Sequence, residues 1–273
     1  MKVAVTGGTG FVGDYVVHAL IDRNINVVVI GTDHNKARTR KWFNSVEFIE
    51  FNINNLYDEE PVKKIASCDK LIHLAWTGLP NYNESFHFEK NLLPQYLFLK
   101  RIIELGLKDI TVTGTCFEYG LKSGPLDVMT ITEPVSSYAI AKDTLRKFLQ
   151  KLQMDTQFKL KWVRLFYLYG KGQSEKSILA QLDKAIANGE TSFNMSAGEQ
   201  LRDYLPIEDA ALDIIEKCLD NELDGLINCC SGVPISIRTL VENHLKKQNK
   251  SIQLNLGYYP YPDYEPMAFW GIK

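Results

Sequence analysis

Val3-Ala4-Val5-Thr6-Gly7-Gly8-Thr9-Gly10-Phe11-Val12-Gly13 is a short β-branched run broken at once by glycines. Such a run reads as a buried strand, and the glycine-dense turn ends it. From Asp14 to Arg23 the apolar residues Val16, Val17, Leu20 and Ile21 fall at helical spacing. Gly8, Gly10 and Gly13 satisfy G-x-G-x-x-G, and Gly7, Gly10 and Gly13 satisfy G-x-x-G-x-x-G. Strand, glycine turn and helix in that order are the context that gives the motif meaning. Missing Cβ atoms let the backbone approach a pyrophosphate, and the free N–H groups of the helix start face its charge. A dinucleotide-binding unit is therefore expected at the N-terminus.

Working outward, apolar runs alternate with helical patterns through the first 170 residues. Strands are expected at Asn26–Gly31, Val46–Ile53, Lys70–Ala75, Asp109–Thr115 and Leu160–Leu168, with helices notably at Asn91–Leu105 and Ser137–Leu152. That alternation predicts an α/β protein: a Rossmann-type doubly wound parallel sheet with helices on both faces. After Gly170 the rhythm loosens, with helices near Ser177–Asn188, Glu208–Asp220 and Arg238–Lys247 and a strand near Asn228–Ser231. The tail from Gly257 is rich in Tyr and Pro and reads as irregular. Residues 1–166 are expected to form the dinucleotide-binding domain, to which the chain returns around 203–232. Residues 167–202 and 233–273 are expected to form a smaller C-terminal α/β subdomain.

The 273 residues are 45% apolar, ordinary for a globular chain, and the net charge of −2 points to neither nucleic acid nor a membrane surface. No apolar run is long enough to span a bilayer. Met1-Lys2 leads directly into a strand rather than an apolar signal segment, so a cytoplasmic setting is expected. Cys68, Cys116, Cys218, Cys229 and Cys230 form no C-x-x-C pair and no metal spacing, and read as reduced buried thiols.

The second strand, Val27-Val28-Val29-Ile30, ends in Gly31, followed by Thr32 and Asp33. An acidic residue at that strand end bonds the 2′-hydroxyl in NAD-selective folds, whereas glycine leaves room for a 2′-phosphate. Lys36, Arg38 and Arg40 follow and supply positive charge. NADP(H) is preferred on this reading; NAD(H) stays open if Asp33 acts from a longer loop. Asn52 and Ile53, at the end of the third strand, are placed near the adenine, although a plain turn asparagine reads nearly as well.

Tyr138-Ala139-Ile140-Ala141-Lys142 sets a phenol and an ammonium one helical turn apart on the same face. A nearby ammonium favours the phenolate that proton exchange requires. With the glycine turn and the Thr-rich fifth strand, the chain resembles the extended short-chain dehydrogenase/reductase family, in the branch of NAD(P)-dependent epimerases, dehydratases and reductases of nucleotide-activated sugars. The matching segments are Thr6 to Gly13, His73-Leu74-Ala75, Thr115 to Gly120 (TCFEYG), Tyr138 to Lys142, Val163 to Phe166 with Tyr169-Gly170, and Arg202-Asp203-Tyr204 with Asp209. They fall in the family's order across nearly the whole chain.

The resemblance implies that Tyr138 is the general acid/base, that Lys142 lowers its pKa and holds the nicotinamide ribose, and that Thr115 bonds the reacting oxygen. It also implies a coenzyme lying against Gly7, Gly10, Phe11, Val12, Gly31, Thr32, Arg38, Asn52, Ile53, Leu74, Ala75, Trp76 and Asn91. His73 reads as a packed strand residue rather than a proton shuttle. In the family's 4,6-dehydratases an Asp-Glu pair follows the threonine; here Cys116 and Phe117 stand there, which argues against dehydration. Glu118 is displaced by one position and would face the other way on a strand. Tyr167 replaces an asparagine that many of the epimerases carry.

On the substrate side, Arg202 resembles the arginine that clamps the nucleotide diphosphate; a strand arginine paired with Asp203 is the alternative. Phe193 and Met195 are candidates for the base pocket or for core. Trp76, Leu79, Pro80, Tyr82 and Phe117 form an apolar wall suited to a deoxysugar methyl, and Cys116 and Tyr167 are further candidate substrate contacts. The expected activity is NADPH-dependent reduction of a nucleotide-linked 4-keto-6-deoxyhexose, such as a dTDP-linked one. An NAD-dependent 4-epimerase and a non-catalytic NADP-sensing protein are the alternatives. A homodimer through Asn91–Leu105 and Ser137–Leu152 is expected, with no metal.

Overall fold

The computed structural model describes residues 1–55, 57–261 and 265–273. β1 (Lys2–Thr6) leads to α1 (Phe11–Asp22), β2 (Asn26–Gly31), α2 (His34–Arg38), β3 (Glu47–Glu50) and α3 (Glu59–Ala66). β4 (Lys70–His73) is followed by a π-helical turn over His87–Leu92 and by α4 (Leu93–Glu104). β5 (Asp109–Thr115) passes through a 3₁₀ turn over Cys116–Tyr119 to β6 (Gly124–Leu126) and α5 (Ser137–Asp155). Then come β7 (Lys159–Leu165), β8 (Tyr167–Tyr169), α6 (Ile178–Ala187), β9 (Ser192–Asn194) and β10 (Leu201–Pro206). α7 (Ile207–Leu219), β11 (Gly225–Cys229), β12 (Pro234–Ser236), α8 (Ile237–Gln248), β13 (Gln253–Asn255) and β14 (Phe269–Gly271) complete the order.

Seven parallel strands form the central sheet in the order β11-β7-β5-β4-β1-β2-β3. Both faces are covered, which is why the central strands β1 and β2 carry the unbroken apolar runs Val3–Val5 and Val27–Ile30. Val3, Val5, Val27, Val29 and Ile72 pack with Val16, Val17 and Leu20 of α1 and Ala210, Ile214 and Ile215 of α7. Ala4, Val28, Ile30, Leu71, Ile110 and Val112 pack on the other face with Val62 of α3, Phe98 and Ile102 of α4, and Leu145 and Leu149 of α5. The chain reverses direction across the sheet between β1 and β4, and ligands bind in such sheets at that crevice, beyond the strands' C-terminal ends.

Three expectations need correction. The run Leu160–Leu168 is two strands: Phe166 turns out of the sheet into a small core with Cys116, Tyr119 and Phe269, and β8 joins β10 instead. Helix α4 begins only at Leu93, because the preceding turn is π-helical. The tail is not wholly irregular, since β14 pairs in parallel with β6; Pro262 lies outside the described residues. α6 and α8 enclose their own core with Phe193 and Met195. No helix among the described residues is long and apolar enough to cross a membrane. All five cysteines are free and buried.

At the crevice, the ends of β1 and β4 are locked by His73. Its Nδ1 accepts from Thr6 Oγ1 at 2.9 Å and its Nε2 donates to Gln95 Oε1 at 2.7 Å, while Thr6 Oγ1 accepts from Ala75 N at 3.3 Å. Burial, reinforced by the Lys142 charge, pulls the His73 pKa down from 6.5 to about 3, so the ring is a neutral strut. An unfolded chain takes up this proton near 6.5, whereas the native one resists it down to about 3. Stability is therefore lost as pH falls through that window. Urea unfolding at a series of pH values is expected to show this slope in the native protein. His73→Asn removes the His73 part of it and lowers stability at neutral pH by about 1–3 kcal/mol.

Candidate active site

The glycines make a cradle that side chains would fill. Gly7 has φ of +73°, and a Cβ there would lie 2.9 Å from Ala75 N. A Cβ on Gly10 would meet Gly7 O at 3.2 Å, and one on Gly13 would meet it at 2.2 Å. Gly10 is the N-cap of α1 and no side chain caps the helix, so the first-turn N–H groups of Phe11 and Val12 are open to an anion. Phe11 leans edge-on against Tyr15, and Val12 packs on the sheet core. The arrangement fits the pyrophosphate of a dinucleotide.

Beyond β2 the geometry revises the sequence reading. The space above Gly31 belongs to Phe48, whose ring carbons would lie 3.3 Å from a Cβ there. Asp33 caps α2, accepting from Lys36 N at 2.9 Å. Thr32 and Arg38 are exposed, and Arg40 rather than Arg38 reaches the glycine loop, donating to Thr9 O at 2.6 Å with Asp14 3.7 Å away. Asn52 accepts from Asn54 N at 3.0 Å, a local turn bond, and Ile53 packs against the core.

Thr115 ends β5, where strands finish and side chains enter the crevice. Its Oγ1 accepts from Phe117 N at 3.3 Å, which leaves the hydroxyl proton to donate, and the Tyr138 phenol lies next to it. Tyr138 sits in the first turn of α5, whose N-cap Ser136 accepts from Ala139 N. Burial pushes the phenol well above its usual range, with the Thr115 bond opposing. One turn on, Lys142 Nζ donates to Thr113 O at 2.8 Å and lies 4.2 Å over the Trp76 ring. Burial pulls its pKa down to about 7, against the pull of Glu118.

After β4, Leu74 packs into the sheet core and Gln95 holds Ala75 O at 3.2 Å. Asn91 clamps Thr77 with two bonds, to its hydroxyl at 2.8 Å and its carbonyl at 3.0 Å. Trp76 Nε1 donates to His87 Nδ1 at 3.0 Å, so His87 is the Nε2–H tautomer, donating to Asn81 O. His87 belongs to the π-helical turn and its ring lies 5.4 Å from that of Tyr138. Only its i, i+4 spacing to Asn91 hinted at this in the sequence.

On the substrate side, Phe117 stands edge-on to Tyr82 and to Tyr167, and Tyr82 also faces Tyr138. Cys116 is buried behind them, its thiol pushed up by burial. Glu118 is not on a strand but on the 3₁₀ turn, directed into the protein, where Arg164 holds it at 2.8 Å. Phe193 is buried between α6 and α8, which is core packing rather than a base pocket. Arg202 pairs with neither solvent nor Asp203. Its Nε and Nη2 donate to Glu265 at 3.1 and 2.8 Å, its Nη1 donates to Leu201 O and Met267 O, and it stacks on Phe269. Asp203 instead binds the Ser231, Gly232 and Gly271 amides. Glu265, distant in sequence, carried no local signal.

The cradle gives a direct test of the coenzyme end. Gly13→Ala is expected to weaken NADH binding, followed by its fluorescence, by at least about tenfold, because the helix must retreat from Gly7 O to admit the methyl.

Comparison with known proteins agrees with this geometry. Residues 3–228 match the NAD dependent epimerase/dehydratase family. Over 274 aligned residues, covering all of both chains, the sequence is 33% identical to the dTDP-6-deoxy-L-talose 4-dehydrogenase (NAD(+)) of Aggregatibacter actinomycetemcomitans. Among solved structures, the fold resembles MoeE5 in complex with UDP-glucuronic acid and NAD, with a TM-score of 0.83, 20% identity and coverage of 100% of this chain and 90% of that one. It also resembles the UDP-N-acetylglucosamine 4-epimerase of Methanobrevibacter ruminantium, with a TM-score of 0.82, 24% identity and coverage of 98% and 88%. From the glycine cradle to the Tyr138–Lys142 turn, the chain belongs to the NAD dependent epimerase/dehydratase family.

Proposed function

We propose that the protein is an NAD(H)-dependent 4-dehydrogenase of a nucleotide-linked 6-deoxyhexose, interconverting the 4-hydroxyl and 4-keto sugars. The reduction expected from the sequence is the reverse direction of the same reaction. The observation that carries the proposal is the end of β5: Thr115 lies beside Tyr138, one turn from Lys142, and uncharged Cys116 and Phe117 follow it. With no carboxylate there to expel a hydroxyl, oxidation or reduction is the chemistry left to the trio. The full-length likeness to a dTDP-6-deoxy-L-talose 4-dehydrogenase supports C4 and the deoxysugar, and the Tyr82, Phe117 and Tyr167 rings offer an apolar wall for a C6 methyl.

When bound, the nicotinamide accepts or returns the C4 hydride. Tyr138 takes the C4 hydroxyl proton in oxidation and gives it back in reduction. A phenol in so dry a place resists ionisation, so the Lys142 ammonium one turn away and the Thr115 hydroxyl proton offset the cost of its phenolate. Once the sugar is bound, that one hydroxyl proton turns from Tyr138 to the developing C4 oxygen. Trp76, Tyr82 and His87 pack around Tyr138 and keep water from it. Residues 167–202 and 233–273 hold the nucleotide sugar on this reading.

For the coenzyme, the space that Gly31 opens is taken by Phe48 rather than left for a 2′-phosphate. That, with the NAD(+) in the relative's name, supports NAD(H) over NADP(H). A homodimer is also part of the proposal. Leu93 and Leu97 of α4 are exposed beside Phe148 of α5, which meets Tyr96 with ring centroids 5.3 Å apart. Sedimentation at micromolar protein is expected to give a dimer, and Leu97→Glu a monomer.

Incubation with NAD+ and a dTDP-6-deoxyhexose is expected to raise the absorbance of reduced nicotinamide, with NAD+ at least about tenfold better than NADP+ in kcat/KM. Tyr138→Phe is expected to lower kcat by about 10²–10⁴-fold. Formation of the C4 epimer with no net coenzyme turnover, and NAD retained stoichiometrically through purification, would overturn the proposal in favour of a 4-epimerase.

A further inference from the structure

Glu118 lies beneath the site without opening onto it. It is fully buried, and its carboxylate is saturated. Oε1 accepts from Thr115 N at 2.9 Å and Trp162 Nε1 at 3.0 Å; Oε2 accepts from Arg164 Nε at 2.8 Å, with Arg146 Nε at 3.9 Å. Arg164 continues to Tyr119 Oη and Val128 O, and Arg146 to Asp143. Room for this carboxylate is made by Gly114, where a Cβ would lie 2.3 Å from Glu118 Oε1. Thr115 and Glu118 thus form a reciprocal capping box around the 3₁₀ turn. The Thr115 amide is tied to the Glu118 carboxylate, and the Thr115 hydroxyl oxygen receives Phe117 N.

The geometry points to Glu118 as a positioning residue for the reaction: it fixes Thr115 so that the hydroxyl proton faces Tyr138, and it is the buried negative charge beneath Tyr138 and Lys142. The inference rests on Thr115, Tyr138 and Lys142 being the reacting trio. A helix cap elsewhere serves only the helix, but here the capping residue is Thr115, which ends β5 beside Tyr138. The charged and titratable groups around the carboxylate are Arg164 of β7, Arg146, Asp143, Lys142 and Tyr138 of α5, and Tyr119 on its own turn. Arg164 and Arg146 balance much of the charge, and what remains favours the Lys142 ammonium and disfavours the Tyr138 phenolate.

Two variants separate the positioning from the charge, with Trp162→Phe as a structural control. Glu118→Asp keeps the charge but draws it back from the Thr115 amide; kcat for sugar oxidation is expected to fall about tenfold with KM within about twofold, and the pH profile to stay in place. Glu118→Gln removes the charge and leaves Arg164 uncompensated, so Tyr138 and Lys142 both give up their protons at lower pH. The rising limb of kcat with pH is therefore expected to move to lower pH. Trp162→Phe removes one bond to the same carboxylate and is expected to lower the Tm without moving the limb. Wild-type kcat in Glu118→Asp, or an unmoved limb in Glu118→Gln, overturns the inference. Activity surviving in Tyr138→Phe would instead overturn the trio itself.

Discussion

In the glycine cradle the backbones of Gly7 and Gly13 pack so closely that a Cβ on the second would stand 2.2 Å from the carbonyl of the first. That approach places the first turn of α1 at the end of the central strand β1, beside β4, where the sheet reverses its winding. Uncapped amides and the positive end of the helix are thereby brought to the crevice. Other parts lean on α1 in turn. Its buried face packs with α7 on the sheet, and Tyr15 Oη donates to Lys171 O, tying the loop after β8 to the coenzyme helix.

Two buried polar networks keep the strand ends from shifting. His73 joins β1, β4 and α4 through neutral hydrogen bonds, and Glu118 joins β5, β7 and α5 through charge-assisted ones. Buried groups of this kind are destabilising unless nearly every donor and acceptor is met. Here they are met only in one register of strands and helices, so the networks favour a single arrangement. The candidate site stands directly on them: Ala75 and Trp76 follow His73, and Thr115 shares its turn with Glu118.

The part of the chain around β10 is held by a different logic. Arg202 is buried on an aromatic face, and its fork is engaged by Glu265 from the far end of the chain and by two main-chain carbonyls. Asp203, its neighbour, serves three amides on the other side of the same strand. Alternate residues of β10 thus bind opposite flanks, as the pleat requires. The chain's last described strand is attached here, through Gly271 and through the pairing of β14 with β6.

Much of the fold and the centre of the site were legible in the sequence, because they rest on local periodicity. The run Asn26–Gly31 and the run Asp109–Thr115 are strands with the bounds their composition predicts, and the glycine spacing and the Tyr138–Lys142 turn are backbone rules acting over a few residues. What escaped depends on contacts far apart in the chain. Whether Gly31 makes space for a phosphate or for a ring was decided by Phe48 on the next strand. Leu160–Leu168 reads as one strand until Phe166 finds its partners near Cys116 and Phe269. Glu118 reads as a strand residue facing the other way until the 3₁₀ turn and Arg164, 46 positions away, draw it inward, and Asp203 is the acidic partner Arg202 offers in sequence until Glu265 is folded against it. Local sequence sets which conformations the backbone can adopt; which side chains share a dielectric, and so which charges pair, is decided only when distant strands are brought together.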